Sequence, residues 1–204
     1  MVRRFRSNPG GLGMNAPLVI KLGGSLLSDP EDGRLQRWCD WLAGAGAGRN
    51  IVVAGGGPFA DAVRTHQALW GFQDDVAHRM ALRAMDQYAL MLAGSRPGFV
   101  ATDEIARLSD VCAAGRTPVW MPARELDARL DLPRDWRVTS DSLAAWLTLQ
   151  LRLPRVLLVK SCDIPEVPLT ELARRGIVDT WLPTFAAEHG IEVRLVQADS
   201  PLPV

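Results

Sequence analysis

An α/β fold, with a mostly parallel sheet covered by helices on both faces, is what this 204-residue sequence predicts. Three observations carry the prediction. Short apolar runs rich in β-branched residues recur along the chain. Each is followed by a stretch with helical apolar spacing, and glycine or serine marks the turns between them. Strand and helix in alternation build a parallel sheet, because each helix is the crossover to the next strand.

The elements follow in order. "APLVIKLGGSLL" (16–27) is an apolar strand that breaks at Gly23-Gly24. From Asp32 to Ala47, Leu35, Trp38, Trp41 and Leu42 recur at helical spacing, and a Gly/Ala stretch ends the run. "NIVVAGGGPFADAVR" (50–64) repeats the first pattern, with a helix starting near Pro58, a residue suited to a first helical turn. A further helix covers Asp74 to Leu92. "FVAT" (99–102) is a short strand, "DEIARLSDVCAAG" (103–115) a helix, "TPVWMPARELD" (117–127) contains a short strand and "DLPRDW" (131–136) is a loop. "VTSDSLAAWLTLQLRL" (138–153) is a helix whose start is set by Thr139, Ser140 or Asp141, all good capping residues. "RVLLVKSCDI" (155–164) is a strand, weak helices cover 169–175 and 180–189, and "IEVRLVQA" (191–198) is the last strand. Residues 1–15 read as a flexible leader and 16–204 as one domain.

Composition narrows the function. The 23 basic and 23 acidic side chains cancel, so no global field draws nucleic acid or an anionic membrane, and any anion must be held locally. Cys39, Cys112 and Cys162 form no CxxC pair, and His66, His78 and His189 show no ligand spacing, which argues against a disulfide framework or a metal cage. No segment approaches the ~18 apolar residues of a membrane span. The expected compartment is the cytoplasm.

Parallel α/β sheets bind ligands at the carboxyl ends of their strands. Two glycine turns, Gly23-Gly24-Ser25 and Gly55-Gly56-Gly57, fall there, as does Ser161. Such turns either cradle phosphate with backbone N–H groups or simply permit tight bends. GxxxxGK[ST] and GxGxxG are both absent, which removes the Walker-type hydrolases and the dinucleotide dehydrogenases. Lys21, two residues before Gly23, either neutralises charge on a transferring phosphoryl group or snorkels from a strand edge. Lys160 repeats the arrangement at the end of "VLLVK". Asp141, at a helix start, stays ionised and either positions the lysines, helps bind magnesium or acts as an ordinary cap.

"VIKLGGSLL", "VVAGGGPFADAVR" and "TSDSLAAWLTLQLRLPRVLLVKSCDI", in this order and spacing, resemble the signature segments of the amino acid kinase family. The resemblance implies a three-layer αβα sandwich and phosphoryl transfer from ATP, with Mg2+, to an oxygen of a small acceptor. By matching motifs, Lys21 contacts the transferring group and Asp141 organises the lysines. Gly23, Gly24 and Ser25 hold the ATP phosphates, and Lys160, Ser161 and Asp163 lie with the nucleotide. Gly55, Gly56, Gly57 and Ser140 face the acceptor. The resemblance implies a homo-oligomer, and no protein ligand to a resident metal is assigned. One departure stands out: the later "GGM…K" segment that delivers a second lysine in many relatives is missing. Lys160, Arg174 or Arg194 is left for that role.

"DDVAHRMALRAMDQYALMLA" (74–93) is similar to a small branch of the family that phosphorylates an aminomethyl-furanmethanol phosphate to its diphosphate in methanofuran-type cofactor synthesis. An amine on the acceptor calls for an acid, from Asp74, Asp75 or Asp86, and His78 is placed to meet the acceptor phosphate. The alternatives are a uridylate-type nucleoside monophosphate kinase and a non-catalytic ligand-binding protein on the same fold. The latter is expected to lose Lys21 or Asp141, and both are present.

Overall fold

Six parallel strands lie in the order β3-β4-β2-β1-β5-β6. They are β1 (Leu18–Leu22), β2 (Asn50–Ala54), β3 (Phe99–Thr102), β4 (Thr117–Trp120), β5 (Arg155–Lys160) and β6 (Glu192–Gln197). The computed structural model describes residues 17–28 and 30–202. The leader assigned to residues 1–15 lies outside them. Eight α-helices connect these strands among the described residues: α1 (Arg34–Ala43), α2 (Gly57–Trp70), α3 (Asp74–Ser95), α4 (Ile105–Ala113), α5 (Ala123–Leu126), α6 (Ser140–Gln150), α7 (Leu169–Arg174) and α8 (Leu182–His189).

Period-two alternation sorts the strand side chains into two cores. Val19, Ile51, Val53, Val156 and Leu158 pack against α6, α8 and the first half of α3. Ile20, Leu22, Val52, Leu157 and Val159 pack against α1 and the second half of α3. Each fully buried aliphatic side chain contributes about 1.5–3 kcal/mol, so both faces must be covered, and the result is a three-layer αβα sandwich.

All six strands and the longer helices match the sequence expectations. Two details differ. The helix expected from Asp32 to Ala47 runs only from Arg34 to Ala43. At its start the Asp32 carboxylate accepts the Arg34 backbone N–H at 2.8 Å, and at its end the chain leaves helical geometry at Gly44. The segment after β4 adds the one-turn helix α5 that "TPVWMPARELD" did not announce. It is anchored by buried Ala123 and Leu126.

Topology fixes where a ligand must enter. From β1 the chain moves outward through β2 to β3, steps back to β4 between them, and α6 then carries it to β5 on the other side of β1. The β1–β5 boundary is therefore the switch point of the sheet, where the crevice opens at the carboxyl ends.

Candidate active site

Lys21 and Lys160 meet at that boundary. Lys21 follows Val19, and Lys160 follows Val156 and Leu158, so alternation turns both ammonium groups to the α6 face. There Asp141, in the first turn of α6, receives both. Lys21 Nζ lies 3.0 Å from Asp141 Oδ1, and Lys160 Nζ lies 2.8 Å from Oδ1 and 2.7 Å from Oδ2. The three residues are 5%, 7% and 4% exposed in the order Lys21, Lys160, Asp141. Two cations share one carboxylate, so these three groups by themselves carry one positive charge in excess.

Titration follows from that imbalance. Burial favours the neutral form of Asp141, yet the charges and hydrogen bonds of Lys21 and Lys160 together hold its carboxyl below the usual range. Burial and then the charge of Lys21 push Lys160 down to about 8, against the pull of Asp141.

The glycine turns stand directly in front. Gly23 N–H donates to Val159 O at 3.1 Å, and Gly55 N–H to Leu22 O at 2.9 Å, which ties both turns to the strand tips. A Cβ on Gly24 would lie 2.4 Å from Gly57 N, so only glycine lets the two turns touch. Gly57 itself sits at φ +50° and opens α2. Ser25 and Ser161, on the two strand tips, share a hydrogen bond of 2.6 Å.

Two adjoining cavities share this floor. A cleft of about 730 Å3 is lined by Lys21, Gly23, Gly24, Ser25, Asp141, Lys160 and Ser161 on one side, and by the loop from Arg175 to Thr180 on the other. That volume suits a nucleotide-sized ligand. A smaller cavity of about 250 Å3 opens beside it, walled by Gly56, Gly57, Asp61, Arg64, His78, Leu82, Met85, Ser140 and Leu143. Gly24, Ser25, Arg64, Trp136 and Thr139 line both.

The sequence profile of the amino acid kinase family matches residues 16–165, a span that contains both glycine turns, both lysines and Asp141. The chain belongs to the amino acid kinase family. It is 24% identical over 146 residues to the [5-(aminomethyl)furan-3-yl]methyl phosphate kinase of Methanocaldococcus jannaschii, an alignment covering 71% of this chain and 66%, just under two thirds, of that protein. Among solved structures it resembles the uridylate kinase of Archaeoglobus fulgidus (TM-score 0.65, 17% identity, covering 89% of this chain and 90% of that one). It also resembles the UMP kinase of Bacillus anthracis (0.67, 16%, 91% and 88%) and the aspartate kinase of Synechocystis (0.63, 14%, 91% and 39%). At these identities the structural likeness establishes the shared fold.

Not every expected site residue of this kinase-family chain reaches a cavity. Gly55 lines neither; a Cβ there would lie 2.4 Å from Gly24 N, so its role is to let the two turns pack. Asp86 also lines neither. Its carboxylate accepts the Ala123 N–H at 3.2 Å at the start of α5, and burial raises its pKa to about 6. Asp163 turns away to accept Gln197 Nε2 at 2.8 Å, tying the end of β5 to β6. Asp74 accepts Gln67 Nε2 at 2.7 Å and Asp75 pairs with Arg134 at 2.5 Å, and neither lines either cavity. Arg174 and Arg194 pair with Glu171 and Glu192 at the surface, at 2.7 and 2.5 Å. Lys160 alone of the three candidates for a second cation faces the cleft.

Four site residues escaped the sequence reading. Asp61 and Arg64, an ion pair at 3.1 Å, give the smaller cavity its acid and its guanidinium. Their signal was visible, since both belong to the quoted "GGGPFADAVR" and lie one helical turn apart. Trp136, under the Arg64 guanidinium at 4.1 Å, comes from a segment read as a plain loop. Asp179 lies far along the chain, and only the fold brings it near α6. Composition carries a further signal: Lys21 and Lys160 are the chain's two lysines, the other members of its Lys/Arg set being arginine.

The geometry suits an anionic phosphate chain better than a metal held by the protein. Among the described residues no cluster of three or more His, Cys, Asp or Glu could hold an ion. Both Asp141 oxygens are already engaged by ammonium groups. Among the described residues no helix is long and apolar enough to cross a membrane.

Proposed function

We propose that the chain transfers the terminal phosphoryl group of ATP to a small phosphate monoester that carries an amine, with [5-(aminomethyl)furan-3-yl]methyl phosphate as the best match and its diphosphate as product. The observation that carries this reading is the pairing of Asp61 with Arg64 on the wall of the smaller cavity, beside the lysine cleft. A carboxylate for an ammonium group and a guanidinium for a phosphate are the two contacts such an acceptor needs. Leu82, Met85, Val138 and Leu143 supply an apolar floor for a small ring. His78, with its pKa lowered by burial and then by the Arg134 charge, is a neutral imidazole that can hydrogen-bond the acceptor without adding charge.

In the larger cleft, the nucleotide's phosphates lie along Gly23, Gly24 and Ser25, and its base along Ala173, Ile177 and Val178. An acceptor phosphate oxygen attacks the terminal phosphorus with a lone pair, the bond to the bridging oxygen breaks, and ADP leaves with that electron pair. The nucleophile is already an anion, so no general base is needed. Lys21 and Lys160 offset the charge that spreads over the moving group, at the junction of the two cavities.

The test is a turnover assay of the full chain with ATP against the amine phosphate, UMP, acetylglutamate and carbamate. The expected result is preference for the amine phosphate. Asp61→Asn should raise its KM by roughly 10-fold or more, the scale of one charge-assisted hydrogen bond, and leave the KM for ATP in place. Preference for UMP would instead support the uridylate reading that the A. fulgidus and B. anthracis neighbours bring to mind. ATP binding without turnover of any acceptor would favour a non-catalytic protein.

We also propose that a second copy of this chain covers the outer face of the α2–α3 hairpin. Among the described residues, seven of the eight exposed large hydrophobic side chains lie on these two helices: Phe59, Leu69, Trp70, Val76, Met80, Leu90 and Met91. A two-fold interface places one such stripe against itself. Sedimentation should give twice the 22.3 kDa chain mass, and Met80→Glu should return it to the monomer value. A monomeric wild type would remove the proposal.

A further inference from the structure

Asp179 lies between α7 and α8 on the wall of the nucleotide cleft and is buried. Its carboxylate accepts five hydrogen bonds. Oδ2 takes the Thr139 N–H and the Thr139 hydroxyl, both at 2.9 Å, and the Ser142 N–H at 3.0 Å. Oδ1 takes the Leu182 N–H at 3.0 Å and the Ser142 hydroxyl.

These donors are not scattered. Thr139 is the N-cap residue of α6 and Ser142 lies in its first turn, so the two bracket Asp141, and Leu182 opens α8. Every residue of α6 from Ser140 to Thr148 is buried, so water cannot satisfy its free N–H groups, and Thr139 makes no side-chain cap of its own. A carboxylate supplied from another part of the chain does both jobs.

We propose that Asp179 is a positioning residue, a clamp on the first turn of α6 that holds Asp141 within hydrogen-bond reach of Lys21 and Lys160. It acts through Asp141 and does not touch the reacting phosphates.

The chemistry of the choice supports this role. A hydroxyl or amide would cap one helix end; only a carboxylate, an acceptor at both oxygens, serves three backbone N–H groups and two hydroxyls together. That carboxylate is expensive to place. Burial and the nearby Asp141 charge both push its pKa up, while its donors from Ser142 and Thr139 pull it down. Its position also completes the charge set. Lys21 on β1, Lys160 on β5, Asp141 on α6 and Asp179 balance to zero, with Arg64 on α2 and Arg175 after α7 further out on the same cleft. The Asp179 charge helps keep Lys160 protonated, against the burial and the Lys21 charge that bring it down to about 8.

Having two lysines makes the test direct. In the full chain labelled with 15N- and 13C-lysine, Lys21 and Lys160 give two ammonium signals, and a Lys21→Arg sample assigns them. Asp179→Asn keeps the shape but turns an amide NH2 toward N–H donors. The expected result is a Lys160 titration midpoint below that of the wild type, a reading that needs no acceptor and stands apart from the kinase reading. With ATP and whichever acceptor is turned over, kcat should fall about 10-fold or more while the KM for ATP stays within about 2-fold, the pattern of a lost supporting contact. Ser142→Ala, which removes a single hydroxyl donor, should lower kcat in the same direction by less. A folded Asp179→Asn protein with the wild-type Lys160 midpoint and kcat would reduce Asp179 to a staple between α6 and α8. If Asp179→Asn fails to fold, an unchanged kcat in Ser142→Ala overturns the proposal.

Discussion

Lys21→Ala should lower kcat by about 100-fold or more, the scale of removing one preorganised electrostatic contact from a transition state, while the protein stays folded. The two halves of this expectation come from the same geometry. In the wild type, two buried ammonium groups divide one carboxylate, with Lys21 at 3.0 Å from Asp141 Oδ1 and Lys160 bridging both oxygens. Without Lys21, Lys160 and Asp141 form a one-to-one pair and the like-charge repulsion disappears, so the electrostatic cost of the site falls even as a small cavity opens. The same change removes one of the two cations that a phosphoryl group in flight would meet. Catalysis suffers and folding does not. Lys21→Arg should fail to rescue the rate, because a planar guanidinium fork cannot replace a compact ammonium in a space closed by β1 and α6. Steady-state kinetics with ATP, together with a thermal melt of each variant, separates the two effects. A wild-type kcat in Lys21→Ala would take Lys21 out of the mechanism.

How much of this arrangement a sequence can announce depends on the range of the interaction. Lys21 and Lys160 were legible because each is a single cation at the tip of an apolar strand, and period-two alternation then dictates that both point to the same face. The glycine turns were legible for a similar reason, since a cluster directly after a strand leaves few other roles. Their mutual contact was not, because the 2.4 Å approach of a Gly24 Cβ to Gly57 N is a fact about two turns meeting in space. For an acid to meet an acceptor's amine, the sequence points to Asp74, Asp75 and Asp86 of α3. The fold places Asp61 of α2 on the smaller cavity instead, while the three α3 candidates bond to Gln67, Arg134 and Ala123. Helical spacing says which residues share a face; it does not say which of two neighbouring helices turns that face to the cavity. Asp179 was the least legible of all. The start of α6 carries three good capping residues of its own, yet the cap comes from a residue almost forty positions later. No local rule marks a carboxylate that serves a distant helix.

Asp141→Asn should be the most destabilising single change in the site, and its deficit should shrink as the pH rises. The substitution leaves the volume of the side chain nearly unchanged but removes the one negative charge that sits between two buried cations. Removing one partner of a buried ion pair costs on the order of 3–5 kcal/mol, because the remaining charge stays desolvated and uncompensated. For a chain of this size that is roughly a 10 °C loss in Tm. The sign of the pH dependence follows from Lys160. Burial and Lys21 already push it down to about 8 with Asp141 in place, and without that carboxylate it falls further. In the unfolded chain the same lysine titrates at ~10.4. Below its folded value Lys160 is charged in both states and the folded state bears the full penalty. Between the folded and unfolded values the native lysine is neutral, the unfolded chain alone binds the proton, and stability climbs with pH. Thermal melts of wild type and Asp141→Asn at pH 7 and at pH 9.5 should therefore show a wide gap in Tm at the lower pH and a narrower one at the higher. An equal gap at both would mean that the lysines are not buried as a charged pair, and a missing gap would mean that Asp141 is no more than a helix cap.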